Sequence, residues 1–183
     1  VAYEKRIDRV VGAMPAILAQ QPNAVLLVVG DGPAKADLEA QAESLGIQDH
    51  VRFTGEVNHD EIADYYRAAD VFVSASDSES QGLTYIEALA AGRKVVAYAG
   101  EYTQSLMDDP AIGTTFTTDA EMVSQCVQYL KHPQAYDDPK PRESKLQAIS
   151  ADQFGDSVLA FYQQAIANQT ADDQEDGPQE AKG

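Results

Sequence analysis

A chain of 183 residues is long enough for one domain with a full core, and 44% hydrophobic against 23% charged residues is the balance of a folded protein. Thirty acidic and 13 basic residues give a formal charge of −17, which argues against nucleic acid as a partner, since that contact is carried by basic patches. One cysteine, Cys126, allows no internal disulfide and fits a reduced compartment, and the longest apolar run, 24–29, is too short to cross a bilayer and follows no signal-peptide pattern.

In chain order, the apolar stripe Ile7, Val10, Val11, Met14, Ile17 and Leu18 predicts a helix over 3–20, bent at Pro15. "AVLLVVG" predicts a strand. "GPAKADLEAQAESLG" predicts a helix, with Pro33 near its first turn and Gly46 near its end. There follow strand "VRFTG", helix "HDEIADYYRAA", strand "DVFVSAS", helix "LTYIEALAA", strand "KVVAYAG" and a short strand "GTTFTT". "DAEMVSQCVQYLKH" and "ADQFGDSVLAFYQQAIAN" are expected as closing helices, separated by the charged, proline-containing connector "HPQAYDDPKPRESK". Alternating strands and helices, with the strands rich in Val, predict an α/β, Rossmann-like, doubly wound parallel sheet. From residue 168 onward acids replace apolar residues, so 168–183 reads as a disordered acidic tail.

Gly82 falls at a strand-to-helix junction. In an open parallel sheet that junction lies at the carboxyl edge, where the free N–H groups of a new helix attract an anion. Glu79 and Glu87 stand either side of it, with seven residues between them. Each has a plain alternative, as a solvated loop acid or as an acid favoured by the helix dipole. Cys126, in "MVSQCVQYL", reads as a buried small hydrophobe rather than a nucleophile.

The succession "EKRIDRVV", "LLVVGDGP", "VRFTGEV", "YYRAADVFVSAS" and "ESQGLTYIEALAAG" resembles the C-terminal, nucleotide-sugar-binding half of family 4 retaining glycosyltransferases of the GT-B fold. The Glu, seven residues, Glu spacing is that family's signature. Gln81 followed by Gly-Leu-Thr-Tyr-Ile-Glu is similar to the glucosyl-diacylglycerol synthases of Gram-positive bacteria. The resemblance implies a nucleotide-sugar-binding domain over 1–167 whose N-terminal strand and acceptor-binding partner domain are missing. The start at Val1, close to a helix, also reads as a fragment.

In that setting the amides of Gly82 and Leu83 suit a diphosphate, because a residue without a side chain admits close backbone approach. Glu87, one turn further in, suits the two ribose hydroxyls, and Glu79 suits the sugar hydroxyls and the positively charged glycosyl centre. Lys5 matches the family's diphosphate-neutralising lysine; the arginine that accompanies it there would precede Val1. Gly30 and Gly32 in "GDGP" line the donor cleft in the family, and Phe53 begins the rim segment that holds the base. Arg6 and Arg9 read as a solvated helix face, and Arg52 as an edge residue paired with a surface acid.

No metal is implied: the fold lets basic groups and helix amides take the diphosphate charge. His50, His59 and His132 lack ligand spacing. The expectation is therefore a glycosyltransferase donor domain without cofactor, with UDP-glucose as substrate and a membrane glycerolipid as acceptor. It would be cytoplasmic, peripheral at the inner membrane face, and inactive as an isolated fragment. A transferase of surface polysaccharide or glycoprotein, and a non-catalytic flavodoxin-like module, are the alternatives; the second has no use for the Glu79 and Glu87 pair.

Overall fold

The computed structural model describes residues 1–77 and 82–152. Five short strands alternate with helices: β1 Leu26–Val28, β2 Val51–Phe53, β3 Val71–Ser74, β4 Lys94–Tyr98 and β5 Gly113–Phe116. The helices are α1 Ile7–Leu18, α2 Lys35–Ser44, α3 Ile62–Ala68, α4 Leu83–Ala90, α5 Glu101–Leu106, α6 Asp119–Lys131 and α7 Lys140–Asp152. All strand pairs are parallel, as helical crossovers require. They form two pieces, a β1–β2 pair and a three-stranded sheet in the order β3–β4–β5.

The apolar stripe of α1 behaves as its spacing dictates: Val10, Val11, Ala13, Met14 and Ile17 are buried, while Pro15 lies exposed inside the helix. The helix begins later than the pattern predicts. Tyr3–Lys5 form a separate 3-10 turn, and Arg6 adopts a left-handed backbone with φ 49°, the one non-glycine residue at positive φ among those described. That break separates Lys5 from α1 and leaves it on an independent turn.

Two further corrections concern the second half. The stretch after β4 gave no element in the sequence, yet α5 forms there. The Gly100 amide donates to Thr103 Oγ1 at 2.9 Å, and Thr103 Oγ1 donates to the Tyr98 carbonyl at 2.7 Å, so the turn is fastened by polar contacts that hydrophobic spacing does not reveal. The expected connector is half helical: α7 starts at Lys140 with Pro141 in its first turn, where a missing N–H costs nothing. Elsewhere the caps follow local chemistry. Glu121 in the first turn of α6 accepts from the Thr117 amide at 2.7 Å and the Thr118 amide at 3.1 Å, which holds its carboxyl below the usual range.

Two apolar clusters carry the packing. One joins α1, α2 and α6 to the strands of both sheet pieces; the other packs Tyr85, Ile86, Ala88 and Leu89 of α4 on Val95 and Ala97 of β4. β4, with a neighbour on each side, buries Val95, Val96 and Ala97 completely. β3 is as apolar but lies at an edge of its piece, and all four of its residues are half-buried.

Candidate functional site

The carboxyl ends of the strands converge on one rim. At the tips of β1 and β2, Gly30 and Gly55 pair in an isolated antiparallel bridge, and the Gly30 amide donates to Thr54 Oγ1 at 3.1 Å. Gly30 has φ 109°, a backbone that side chains resist. Next to it the Val1 nitrogen donates to the Asp31 carbonyl, and the Ala34 amide donates to the Val1 carbonyl at 3.2 Å, with Val1 packed against Gly32. Three residues on, the Glu4 carbonyl accepts from Ser76 Oγ at 3.3 Å. The turn bearing Lys5 is thus tied to the carboxyl end of β3, and Lys5 itself is half-buried.

Gly82 caps α4 with φ 60°, in the left-handed region. The Tyr102 ring of α5 lies where a Cβ on Gly82 would stand, so a side chain there would meet a strained backbone and would have to displace that ring. Leu83 is 41% exposed at the mouth of α4, unusual for a leucine beside a core, and its amide is among the first of the helix. A cavity of about 540 Å³ opens beside this junction, lined by Ser76, Asp77, Tyr98, Gly100, Glu101 and Tyr102.

Glu87 is half-buried one turn inside α4. Its Oε2 accepts a hydrogen bond from the Tyr66 hydroxyl of α3 at 3.0 Å. Burial raises the Glu87 carboxyl above its ordinary value, against the lowering effects of the Tyr66 bond and the charge of His59. The Tyr66 phenol is pushed far up by burial and by the neighbouring carboxylate, so it remains a donor.

An aromatic row runs beneath these groups. Tyr66 meets Phe72 of β3 at 5.6 Å between centroids, Phe72 meets Tyr85 at 6.0 Å, and Tyr85 stacks on Tyr102 at 6.4 Å. It links the partner of Glu87 at one end to the ring covering Gly82 at the other. Tyr66 and Tyr102 were absent from the sequence-based site. Their signal is faint: "YYRAAD" reads as ordinary helix, and "EYTQSL" as no element.

The structure therefore places Gly30 and Gly32 just after β1, Lys5 on the turn tied to the end of β3, and Gly82, Leu83 and Glu87 at the start of α4. None of the six lines the cavity of about 540 Å³. Phe53 is the last residue of β2, paired in register with Val28, and its half-buried ring packs against the core. Glu79 lies outside the described residues, as does the whole of the expected tail. Two arginines depart from expectation. Arg9 is no solvated face: it grips Asp119 Oδ1 through Nε at 2.9 Å and Nη2 at 2.6 Å, and lies over Tyr98 at 5.2 Å from the ring centre. Arg52 donates to the carbonyls of Gln48 and Val51 at 3.4 and 3.3 Å rather than to an acid.

Other reactive groups are committed elsewhere. Burial pushes the Cys126 thiol up to about 12, which leaves it protonated and inert. His50 bonds the Ala24 carbonyl at 3.0 Å, while His59 and His132 are exposed on other elements. A cavity of about 420 Å³ at the opposite strand ends contains Arg93 and Lys94, but their charges cap the carbonyls of Ala69 and Ala111, each at 2.8 Å.

The family model for glycosyl transferases group 1 matches residues 1–143. An alpha-monoglucosyldiacylglycerol synthase of Streptococcus pneumoniae is 40% identical over 166 residues, covering 91% of this chain and 37% of that protein. The enzyme of the same name from Acholeplasma laidlawii is 32% identical over 134 residues, covering 73% of this chain and 34% of that protein. The chain thus spans little more than a third of these relatives. Among solved structures, a pneumococcal O-GlcNAc transferase in complex with UDP and GlcNAc superposes with a TM-score of 0.71 at 17% identity, covering 96% of this chain and 34% of that one. The parallel sheets flanked by helices are those of GT-B glycosyltransferases, and the chain belongs to the glycosyl transferases of group 1.

Proposed function

We propose that this chain is the nucleotide-sugar donor-binding part of a retaining glycosyltransferase that moves glucose from UDP-glucose to a membrane glycerolipid of diacylglycerol type. The observation that carries this reading is the α4 entrance, where Gly82 and the half-buried Glu87 stand one turn apart at the carboxyl edge. The relatives named for alpha-monoglucosyldiacylglycerol synthesis support glucose as the sugar and a diacylglycerol-type acceptor. UDP-glucose carries its sugar as the α anomer, so an alpha product means retention.

In this reading the amides of Gly82 and Leu83 receive the diphosphate with Lys5, Glu87 accepts the ribose hydroxyls, and Glu79 meets the sugar. Gly30, Gly32 and Phe53 border the cleft. The bond from the anomeric carbon to the diphosphate oxygen breaks, the acceptor oxygen bonds to the same face of that carbon, and the acceptor's proton passes to the leaving diphosphate of UDP. Neither metal nor cofactor is called for, since Lys5 and the helix amides offset the diphosphate's charge.

The acceptor half, and a strand bridging β1 and β3, would come from sequence outside these 183 residues. Supporting this, both strands are apolar and yet bonded along one side only in the described sheets. Among the described residues no helix is long and apolar enough to cross a membrane. We place the whole enzyme in the cytoplasm, peripheral at the inner membrane face through its other half.

Calorimetric titration with UDP and UDP-glucose, beside a transfer assay on diacylglycerol, tests this. Weak binding of both nucleotides without transfer is expected. Absence of any UDP binding overturns the donor site, and efficient transfer by the 183 residues overturns the division of labour. Transfer by a longer form to a saccharide or protein, but not to lipid, overturns the acceptor.

A further inference from the structure

We infer that Tyr66 is a positioning residue for the nucleotide ribose: its hydroxyl tethers one oxygen of Glu87 so that the carboxylate is already turned to receive a vicinal diol. This rests on the assignment of Glu87 to the ribose above.

The geometry begins with two helices joined at their C-terminal ends. Arg93, just after α4, donates through Nη1 to the carbonyls of Arg67 at 3.4 Å and Ala69 at 2.8 Å, and through Nε to Ala91 at 2.9 Å. One guanidinium thereby ties the end of α3 to the end of α4. Tyr66 stands on the first helix and Glu87 on the second, and their side chains meet at 3.0 Å. The Tyr66 ring is fixed in turn by its contact with Phe72.

Packing alone does not explain the hydroxyl. A phenylalanine ring would fill the same place against Phe72, so the added oxygen serves the contact it makes. That contact is with an acid carried on three rotatable bonds. An untethered glutamate must surrender rotamer freedom when it accepts two hydroxyls at once, and a bond to Oε2 removes part of that freedom before the ligand arrives. Oε1 and the remaining lone pair of Oε2 are left to face the diol. The phenol's raised proton affinity keeps the bond in one direction, from tyrosine to carboxylate.

The test compares UDP with 2′,3′-dideoxy-UDP on the 183-residue chain by calorimetry. Tyr66→Phe should weaken UDP about tenfold, the scale of one hydrogen bond to a charged group, and leave the dideoxy nucleotide unchanged. Replacing Tyr66 with 4-aminophenylalanine, which keeps both ring and donor, should restore most of the loss. Thermal melts of each variant establish that the fold is intact; should Tyr66→Phe fail to fold, 4-fluorophenylalanine at position 66, which keeps the ring but has no donor, takes its place in the comparison.

Equal weakening of both nucleotides by Tyr66→Phe, or no weakening of either, overturns the positioning role. Glu87→Gln separates this from the assignment beneath it. If that variant keeps the full preference for UDP over the dideoxy form, Glu87 does not hold the ribose, and the failure lies there. If Glu87→Gln loses the preference while Tyr66→Phe retains it, the failure belongs to Tyr66 alone.

Discussion

The two sheet pieces are written in nearly the same alphabet and are buried very differently. β4 reads Lys-Val-Val-Ala-Tyr and hides its three central residues entirely. β1 is cut from the run "AVLLVVG", but Val25 and Val29 beside it are 55% and 38% exposed, and Val28 alone is deeply buried there. The difference is position in the described sheets: β4 has a strand on each side and helices above it, while β1 pairs on one side only, its other side being where the bridging strand proposed above would lie. An apolar run therefore specifies a strand but not its depth, because depth is set by what pairs with it. The site follows the same division. Gly82 and Glu87 sit on α4, packed over the deep piece, whereas Gly30, Gly32 and Phe53 sit at the tips of the shallow one.

The strongest way to test this contrast is to give each glycine a Cβ. At Gly82 an alanine meets both a left-handed backbone and the Tyr102 ring, so Gly82→Ala should cost about 2–4 kcal/mol in urea unfolding and abolish UDP binding. At Gly30 no atom lies within 4 Å of the added carbon, and only backbone strain remains. Gly30→Ala should cost about 1–2 kcal/mol. Adding Tyr102→Ala to Gly82→Ala should recover the steric part, and equal costs at the two glycines would break the contrast.

Arg9 probes how the two pieces are joined, since α1 belongs to the cluster that holds both and packs beside α6. Its two bonds to Asp119 and its place over Tyr98 and Phe116 make it a pin rather than a surface charge. Arg9→Ala should cost about 1–2 kcal/mol by chemical denaturation, with Arg9→Lys recovering less than half, because an ammonium offers no planar fork.

Most of the fold was legible because strands and helices alternate with clear periods, and ten of the described elements follow from apolar spacing together with the Pro and Gly signals at element ends. What escaped was polar or local. The break at Arg6 leaves the apolar stripe uninterrupted, and α5 is held by Thr103 oxygen bonds that no period announces. The α7 start was hidden by Pro139 and Pro141, which read as connector although the second sits where a helix tolerates it. The placement of Gly82, Leu83 and Glu87 at the start of α4 was legible from one contiguous motif. Tyr66 and Tyr102 were not, since each reaches the motif from another helix and only the folded chain brings them there.

Glu87 offers a smaller test, of opposite sign in stability and in binding. Burial raises its carboxyl above the ordinary value, so the folded state holds that proton more tightly than the unfolded chain. Stability is then lost as pH rises from the ordinary carboxyl value through the raised one, and above that window the fold bears the full cost of the ionised acid. Glu87→Gln should stabilise the ligand-free protein by less than about 1 kcal/mol at mildly alkaline pH, the half-exposed position limiting the gain, and should flatten the pH dependence across the window. The same variant should bind UDP about tenfold more weakly. A variant that is less stable at every pH would mean that the carboxylate is held by the fold for its own sake and not for a ligand.

Arg52 should show the smallest effect, and it tests the shallow piece directly. It projects from β2, exposed, and its two described hydrogen bonds go to nearby backbone carbonyls at 3.4 and 3.3 Å, at the long end of useful contacts. Neither bond reaches the carboxyl rim, where Phe53 ends the strand and Gly55 meets Gly30. Arg52→Ala should therefore change stability by no more than about 0.5 kcal/mol and leave UDP affinity within about twofold. A tenfold loss of UDP would make Arg52 a diphosphate cation working beside Lys5. The β1–β2 pair would then contribute charge to the donor site as well as a glycine-lined border, and the assignment of the ligand's main hold to the α4 side would have to be redrawn.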